Sequence, residues 1–419
     1  MKKLIVFSVI LVLLASTAFA ADVGVALFGG VNVAAGSTEE DSKVVGNGGF
    51  GRIRLEASSQ NDDGTFGGWI RYDAGGNWGG APNGWGLVWW KPVEQVKIQV
   101  GNNPDNSFTI GDVTRWGFYQ MAGDLGIVNA GNAWGGGWGP VASDQVFYGG
   151  YGGFGLLLTI SPIDALAINI ILPYGADTAE VADIFQQITA QVTYNIDGIG
   201  RFALTYKNGL SKKSASSDYA AGVTYGNVFT DTGTPTVTVT QKPANGWADG
   251  TVVLNEWTTG AAGDPGRPKG NSDLYVSFLL TAVENLELDL GFHYTITDGD
   301  KEPMGIGLGA KYDAGAFGVK ARILARLAGE DKSTALTADV LPYFAVSDSL
   351  KAYLSVGLGL WKPDTGDSVT AWHIAPYIEY GFDWSKGFWA GVNISSPGKV
   401  GGADAEIYWS IPIGLYFSF

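Results

Sequence analysis

Residues 286–297 read LELDLGFHYTIT, and this stretch alternates between two chemical classes at every position. One set is Leu286, Leu288, Leu290, Phe292, Tyr294 and Ile296, and the other is Glu287, Asp289, Gly291, His293, Thr295 and Thr297. Side chains of a β-strand point alternately to its two faces, so one face is apolar and the other polar. Such a strand fits a soluble sandwich with its apolar face inside, or a membrane barrel with that face toward lipid.

The same alternation recurs along the chain. It is present in FGRIRLEAS (50–58), VKIQVG (96–101), FGVKARILARL (317–327) and LKAYLSVGLGLW (350–361). In the segment 317–327, Leu324 is an apolar exception on the face that otherwise carries basic residues. Many segments of about ten residues with a period of two are typical of the strands of membrane barrels.

The connections between these segments come in two kinds. KPVEQVKIQV, ISPIDALAINI, TAVENLELDL and AVSDSLKAYL each join two apolar strand ends through a tight turn with an acidic residue. Longer stretches rich in Gly, Asp, Ser and Pro alternate with them, as at 35–47, 175–183 and 298–303. Short turns at one end and long loops at the other are typical of bacterial membrane barrels.

The number of strands follows from these signals. We count about 18 clear strands, with 16 to 20 allowed, in an all-β, transmembrane, antiparallel up-and-down barrel. The segment 218–242 contains a doubtful further pair of strands, and the Pro- and Gly-rich stretch 243–271 is predicted to be a long loop. An even number of strands places both termini at the end with the short turns.

The N-terminal residues 1–20, MKKLIVFSVILVLLASTAFA, resemble an export signal in their order of features. Lys2 and Lys3 precede a short apolar run, and Ala18, Phe19 and Ala20 form a small-x-small cleavage site. We predict a secretory signal cleaved after Ala20, leaving 21–419 as a single barrel domain, while an uncleaved anchor helix is the alternative. The chain has no cysteine, so disulfide and thiol chemistry are excluded.

The composition narrows the possible partners. The formal net charge of −15 argues against a nucleic acid as partner. The chain has 63 glycines and 13% aromatic residues but only 16% charged residues, which suits closely spaced strands with aromatic belts. After the N-terminal segment, no apolar run reaches the ~20 residues that a membrane helix needs. A membrane location therefore requires strands.

The polar faces indicate which side of the barrel is wet. A barrel of this size encloses a hole that side chains alone do not fill, and unpaired ions in a dry interior are costly. We therefore predict that the apolar faces contact lipid and the polar faces line a watery lumen. The candidate pore-lining residues are Arg52, Arg54, Glu56, Arg71, Lys97, Arg201, Lys207, Glu287, Asp289, His293, Lys320, Arg322, Arg326, Asp339 and Glu379. Aromatic residues near strand ends, such as Tyr206, Tyr312, Phe344 and Phe382, fit interfacial girdles.

The C-terminal segment EIYWSIPIGLYFSF alternates to its last residue, with Phe417 and Phe419 on the apolar face. This ending resembles the closing strand of outer-membrane proteins. The resemblance implies that Phe417 and Phe419 form the insertion signal read by the barrel-assembly machinery. It also implies a location in the bacterial outer membrane, with its lipid as a partner.

The segment 104–148 follows the fifth strand and is the third long loop. At this point the chain resembles the general porins, whose third loop folds into the barrel and narrows it. The loop carries Asp105, Asp112 and Asp124, whereas the second and third strands carry Arg52, Arg54 and Arg71. The resemblance implies a transverse field between these groups, and it also implies a homotrimer. A large external loop is the alternative for 104–148.

The function that these features favour is passive diffusion of small hydrophilic solutes and ions through an outer-membrane porin. Two alternatives stay open. The first is a channel selective for sugars or hydrophobic compounds, in which lumenal tryptophans such as Trp69 would form a track. The second is a non-transport surface barrel such as an adhesin. His293 and His373 fall on the polar face, but no catalytic or metal-binding constellation is visible, so we predict neither an enzyme nor a cofactor.

Overall fold

A computed structural model describes most of the strand-forming part of the chain. The described residues are 22–37, 47–74, 82–102, 141, 146–148, 154–173, 188–208, 224–225, 227–231, 237–239, 251–252, 272–296, 303–327, 333–362, 367–381, 386–396, 399–400, 403–404 and 407–418. Among these residues, no helix is long and apolar enough to cross a membrane.

Eighteen strands form the main sheet. They are β1 (Asp22–Ser37), β2 (Asn47–Gln60), β3 (Phe66–Ala74), β4 (Pro82–Val93), β5 (Val96–Asn102), β6 (Phe154–Ile163), β7 (Leu166–Pro173), β8 (Thr189–Ile196), β9 (Gly200–Asn208), β10 (Ser272–Val283), β11 (Leu286–Ile296), β12 (Met304–Asp313), β13 (Phe317–Leu327), β14 (Thr334–Ser347), β15 (Leu350–Lys362), β16 (Val369–Tyr380), β17 (Lys386–Gly391 with Asn393–Ser396) and β18 (Tyr408–Ser418). Both parts of β17 pair with β16 and β18, so Val392 only interrupts one strand.

The sheet closes on itself. Each strand pairs antiparallel with the next one in the chain, and β1 pairs with β18 from Ala26↔Ser418 to Ser37↔Tyr408. The strands β9 and β10 also pair, although positions 209–271 separate them in sequence. Every one of the eighteen strands therefore has a hydrogen-bonded neighbour on both sides, as hydrocarbon requires. The predicted antiparallel up-and-down barrel and its number of strands are confirmed.

The two ends of the barrel differ in their connections. Turns such as 94–95, 164–165, 284–285 and 348–349 follow even-numbered strands, whereas 103–153 and 209–271 are long connections after odd-numbered ones. In the turn 284–285, Asn285 has a φ of 63°, a left-handed conformation that Asn tolerates better than most residues. Because β1 starts and β18 ends at the short-turn end, both ends of the barrel sheet lie there, as predicted.

The doubtful strands do not join the barrel. Thr224–Tyr225, Asn227–Asp231, Val237–Val239 and Thr251–Val252 form a separate four-stranded sheet within the connection between β9 and β10. The last of these strands lies within 243–271, the stretch predicted to be loop. Alternation alone does not distinguish such strands from barrel strands, because both have the same period of two.

The outer face of the barrel is apolar. Leu290, Leu308 and Ile323 are each about half exposed, while the residues that alternate with them are buried. Exposed aromatic side chains lie near the short-turn end, including Tyr312, Phe317, Phe344, Tyr380 and Phe417. Tyr206 is exposed toward the opposite end, and Phe382 is outside the described residues. The outer surface thus combines an apolar band with aromatic girdles.

Glycines on the inner face make room for aromatic rings that lie flat against the wall. Trp89 lies over Gly67, and Tyr343 lies over Gly318 on the neighbouring strand. A Cβ at residue 30 would lie 2.8 Å from the ring of Trp389, which also covers Gly414. Side chains at these positions would displace the rings, which accounts for glycine at several polar-face positions.

Candidate functional site: the inner wall of the barrel

The strand register places the predicted pore residues on one face. Asp289 lies opposite Gly309, Gly309 opposite Arg322, and Arg322 opposite Asp339. Because directly paired residues share a face, these positions all point to the inside of the barrel. The same chain of pairings places on the inner face Arg54, Glu56, Arg71, Lys97, Arg201, Lys207, Glu287, His293, Lys320, Arg326 and Glu379.

Some predicted site residues lie outside the described part of the chain. They are Asp105, Asp112, Asp124 and Phe419, together with the side chain of Arg52. The signal segment 1–20 is also outside it. In the backbone register Arg52 lies opposite Phe28, on the same face as Arg54. Phe417 is half exposed on the outer face.

Basic and acidic groups are paired on the wall formed by β2 and β3. Arg54 binds Asp73 through two bonds, Nε to Oδ1 at 2.9 Å and Nη2 to Oδ2 at 3.2 Å. The Nε atom of Arg71 lies 3.4 Å from both Glu56 Oε1 and Asp73 Oδ1. The side chains of Arg54 and Arg71 are 21% and 22% exposed, so they are partly accessible from the interior.

Three tryptophans share this wall. Trp69, Trp85 and Trp89 are half-buried on the inner face of β3 and β4. The Arg71 Cζ atom lies 5.5 Å from the ring centroid of Trp85, and the Lys97 Nζ atom lies 5.5 Å from that of Trp89. These are cation–π distances. Trp69 lies on the inner face, as its shared face with Arg71 predicts. Trp85 and Trp89 also lie there, although the sequence pattern does not assign them to a face.

The wall formed by β11 to β16 is more closed than predicted. Asp289, Lys320 and Glu379 are buried rather than exposed to a watery lumen. The Arg322 Nε atom lies 2.6 Å from Asp339 Oδ2, and these side chains are only 1% and 0% exposed. The prediction that such charges avoid cost by facing water is thus wrong for Arg322 and Asp339: they are desolvated, and the attraction between them offsets part of that cost.

Ser355 and His373 are buried near the ion pair of Arg322 and Asp339. Ser355 Oγ and His373 Nε2 are 2.8 Å apart, and both residues are 0% exposed. Asp339 Oδ1 and His373 Nδ1 would each lie 2.6 Å from a Cβ at residue 357, so Gly357 leaves room for both side chains. The sequence pattern does not reveal that Asp339, Ser355 and His373 lie near one another, because they belong to β14, β15 and β16. All three side chains are buried.

A second polar cluster lies on the inner face of β10 and β11. Asp273 Oδ1 is 3.1 Å from His293 Nε2 and accepts a hydrogen bond from Thr295 Oγ1 at 3.0 Å. The ring of Tyr275 stacks on His293 with the centroids 4.2 Å apart. Within the described residues, no group of three His, Cys, Asp or Glu side chains is arranged to hold a metal ion.

Four described residues of the connection between β5 and β6 contact the inner wall. Val141, Val146 and Phe147 are buried in a cluster with Leu324 of β13 and Trp361 of β15. Tyr148 lies 5.6 Å, centroid to centroid, from Tyr275 and packs with Leu157 and Ile171 of the wall. These residues therefore lie inside the barrel.

Comparison with known proteins gives a structural match only. No protein-family model matches the chain, and no curated protein does. OpdQ of Pseudomonas aeruginosa is similar in structure, with a TM-score of 0.51 and 9% identity, over 96% of this chain and 98% of that one. OccK1 (OpdK) of the same organism is similar with a TM-score of 0.50 and 10% identity, over 95% of this chain and 99% of that one.

At such low identity the likeness establishes the fold alone. The matches cover nearly the whole of both chains, so they concern the complete barrel and not one part of it. Together with the closed sheet, these matches mean that this chain shares the fold of OpdQ and OccK1 (OpdK), and in this chain that fold is a closed antiparallel barrel of eighteen strands with an apolar outer face.

Proposed function

We propose that this protein is an outer-membrane porin through which small hydrophilic solutes and ions diffuse passively. The observation that carries the proposal is the polarity of the closed sheet, which is apolar outside and lined with charged side chains inside. A barrel with this polarity is stable in a membrane and offers water a polar interior. Transport of this kind needs no cofactor and no catalysis.

The connection between β5 and β6 is proposed to narrow the channel. Val141 and residues 146–148 pack against the inner wall, which supports an inward course for 104–148. Asp105, Asp112 and Asp124 would then face the wall of β2 and β3, which carries Arg52, Arg54 and Arg71 beside Glu56 and Asp73. Opposed charges across a constriction order water and raise the barrier for apolar solutes.

Export and assembly are proposed to follow the sequence signals. Residues 1–20 would direct secretion and be removed. Phe417, near the end of the strand that closes the barrel against β1, and the following Phe419 would be read by the barrel-assembly machinery. A homotrimer is proposed from the resemblance to general porins.

Single-channel recording tests the main proposal. The purified protein in a planar bilayer should give stepwise, ohmic conductance, and liposomes containing it should swell at rates that fall smoothly as the sugar becomes larger. A protein that inserts into the bilayer but carries no current would instead support a non-transport surface barrel.

A selective channel is the second candidate, and the three inner tryptophans favour it. Trp69, Trp85 and Trp89 offer aromatic surface beside cationic groups, a combination that binds sugar rings or aromatic solutes in ligand sites. Saturable uptake of one solute, reduced by Trp69→Ala, would favour this candidate. A smooth dependence on solute size with no saturation would favour the diffusion porin.

A further inference from the structure

The inner wall has an apolar patch where the alternation predicts a polar face. Leu324 is 0% exposed and lies between the register positions of Gly307 and Thr337. It packs with Val141, Val146 and Phe147, which belong to the connection between β5 and β6. The apolar exception in β13 is therefore a contact site for residues inside the barrel.

Two glycines next to this patch form a recess for one aromatic ring. Gly291 and Gly307 lie directly opposite each other on β11 and β12. The ring of Phe147 lies over both of them, and a Cβ at residue 307 would lie 2.6 Å from Val146 Cγ1 and 2.9 Å from Phe147 Cε2. A side chain larger than hydrogen at either position would occupy the space that the ring fills. We call the recess formed by Gly291 and Gly307 the glycine socket.

A hydroxyl group holds the same segment by its backbone. Thr337 Oγ1 accepts a hydrogen bond from the Val141 N–H group at 2.9 Å and donates one to the Val141 carbonyl oxygen at 3.2 Å. Thr337 is completely buried on the inner face of β14. The contact is specific, because it pairs both polar groups of one peptide residue with one side chain.

We propose that the glycine socket and Thr337 determine the aperture of the channel, by fixing Phe147 and Val141 against the wall. This inference rests on the proposed function, since an aperture has meaning only for a conducting barrel. Filling the socket would displace Phe147 toward the lumen axis and detach the segment from the wall. Without this attachment, Phe147 and Val141 would not be fixed against the wall, and the size limit for solutes would change.

Conductance of matched variants tests the inference. Gly291→Val, Gly307→Val and Phe147→Ala should each change the single-channel conductance and the largest sugar that permeates, and Phe147→Ala should raise both. Combining Phe147→Ala with Gly291→Val should not add a second full effect, because both remove one contact. Gly24→Val is the matched control, since Gly24 is on the inner side of β1 and a Cβ there meets nothing within 4 Å.

Thiol labelling gives a readout that does not depend on conduction. The chain has no cysteine, so Leu324→Cys provides a single thiol beneath Val146 and Phe147. A hydrophilic thiol reagent should leave it unmodified in the otherwise unchanged protein and modify it after Gly291→Val or Phe147→Ala. Heat-dependent electrophoretic mobility would verify that each variant forms the barrel, and Phe147→Ala retains the test if the bulkier glycine variants do not fold.

Failure of the aperture inference and failure of the proposed porin function would give different results. If the unchanged protein conducts, but neither its conductance nor the labelling of the Leu324→Cys thiol responds to Gly291→Val and Phe147→Ala, the socket does not set the aperture. If labelling responds but no variant conducts, the contact exists while the porin function and the aperture both fail.

Discussion

At the scale of single residues, Arg322 and Asp339 form a buried ion pair on the inner wall. The two side chains are almost fully removed from solvent and are 2.6 Å apart. The attraction between the two charges offsets part of the cost of desolvating each of them. By contrast, Lys311 and Glu287 form a pair at 2.9 Å with side chains 33% and 38% exposed, so water screens both charges. The same chemistry thus has different consequences at two places on the inner wall.

Neutralising the acidic residue of each pair should lower the free energy of unfolding by different amounts. Asp339→Asn should lower the free energy of unfolding by about 3–5 kcal/mol, because it removes the charge of a buried carboxylate that pairs with Arg322. Glu287→Gln should lower it by at most about 1 kcal/mol, because that pair is partly exposed. Urea-induced unfolding in lipid vesicles, followed by tryptophan fluorescence, measures both changes. Equal effects for the two substitutions would contradict the assigned difference in burial.

The sequence predicts the face of the sheet on which a residue lies, but it does not predict which residues that side chain contacts. Alternation assigns Arg322, Asp339 and His373 correctly to the inner face. It carries no information on which residues face each other across strands, so the pairing and the burial of Arg322 and Asp339 are not predictable from it. Leu324 breaks the alternation, and in the structure it contacts Phe147 and Val146. Exceptions to the pattern can therefore mark sites where another segment packs.

At the scale of elements, strand number and direction were predictable because the chemistry that defines a strand here is local. A period of two, an acidic tight turn and a long polar loop are all visible within about 25 residues of sequence. The strands between β9 and β10 show the limit of this approach. They have the same local pattern, but they pair with one another and not with barrel strands. The choice of pairing partner is not encoded in the local pattern.

A charged side chain on the outer face should destabilise the barrel more at the middle of a strand than at its end, because the middle lies deeper in the bilayer. Leu308 is 44% exposed in the middle of β12, and Val346 is 56% exposed next to the last residue of β14. Leu308→Arg should destabilise the barrel in lipid by about 2–4 kcal/mol, whereas Val346→Arg should cost about 0–1 kcal/mol.

Both substitutions add the same charge to similarly exposed positions, so the comparison isolates depth in the bilayer. Reversible folding into vesicles of defined lipid gives the two free energies. If the two variants were destabilised equally, the apolar outer face would not be the surface that contacts hydrocarbon.

At the scale of the whole molecule, the net charge and the charge of the inner wall differ in sign. The chain carries −15 overall. In the described part of the inner wall, the basic residues are Arg54, Arg71, Lys91, Lys97, Arg201, Lys207, Lys311, Lys320, Arg322, Arg326 and Lys351, and the acidic residues are Asp22, Glu56, Asp73, Asp273, Glu287, Asp289, Asp313, Asp339 and Glu379. Basic residues slightly outnumber acidic ones there. Ions within the barrel experience the groups that line it more strongly than distant charges, because salt screens exposed charges beyond about 8 Å under physiological conditions.

Ion selectivity should therefore follow the inner wall and not the net charge. Lys97 lies on the inner face of β5 beside Trp89, and Lys362 is exposed on the outward side at the end of β15. Lys97→Glu should shift the reversal potential in a potassium chloride gradient toward cation preference, and Lys97→Gln should shift it by a smaller amount in the same direction. Lys362→Glu changes the net charge by the same amount and should leave the reversal potential nearly unchanged. Equal shifts from Lys97→Glu and Lys362→Glu would mean that total charge governs permeation, and the inner wall would then lose its assigned role as the selecting surface.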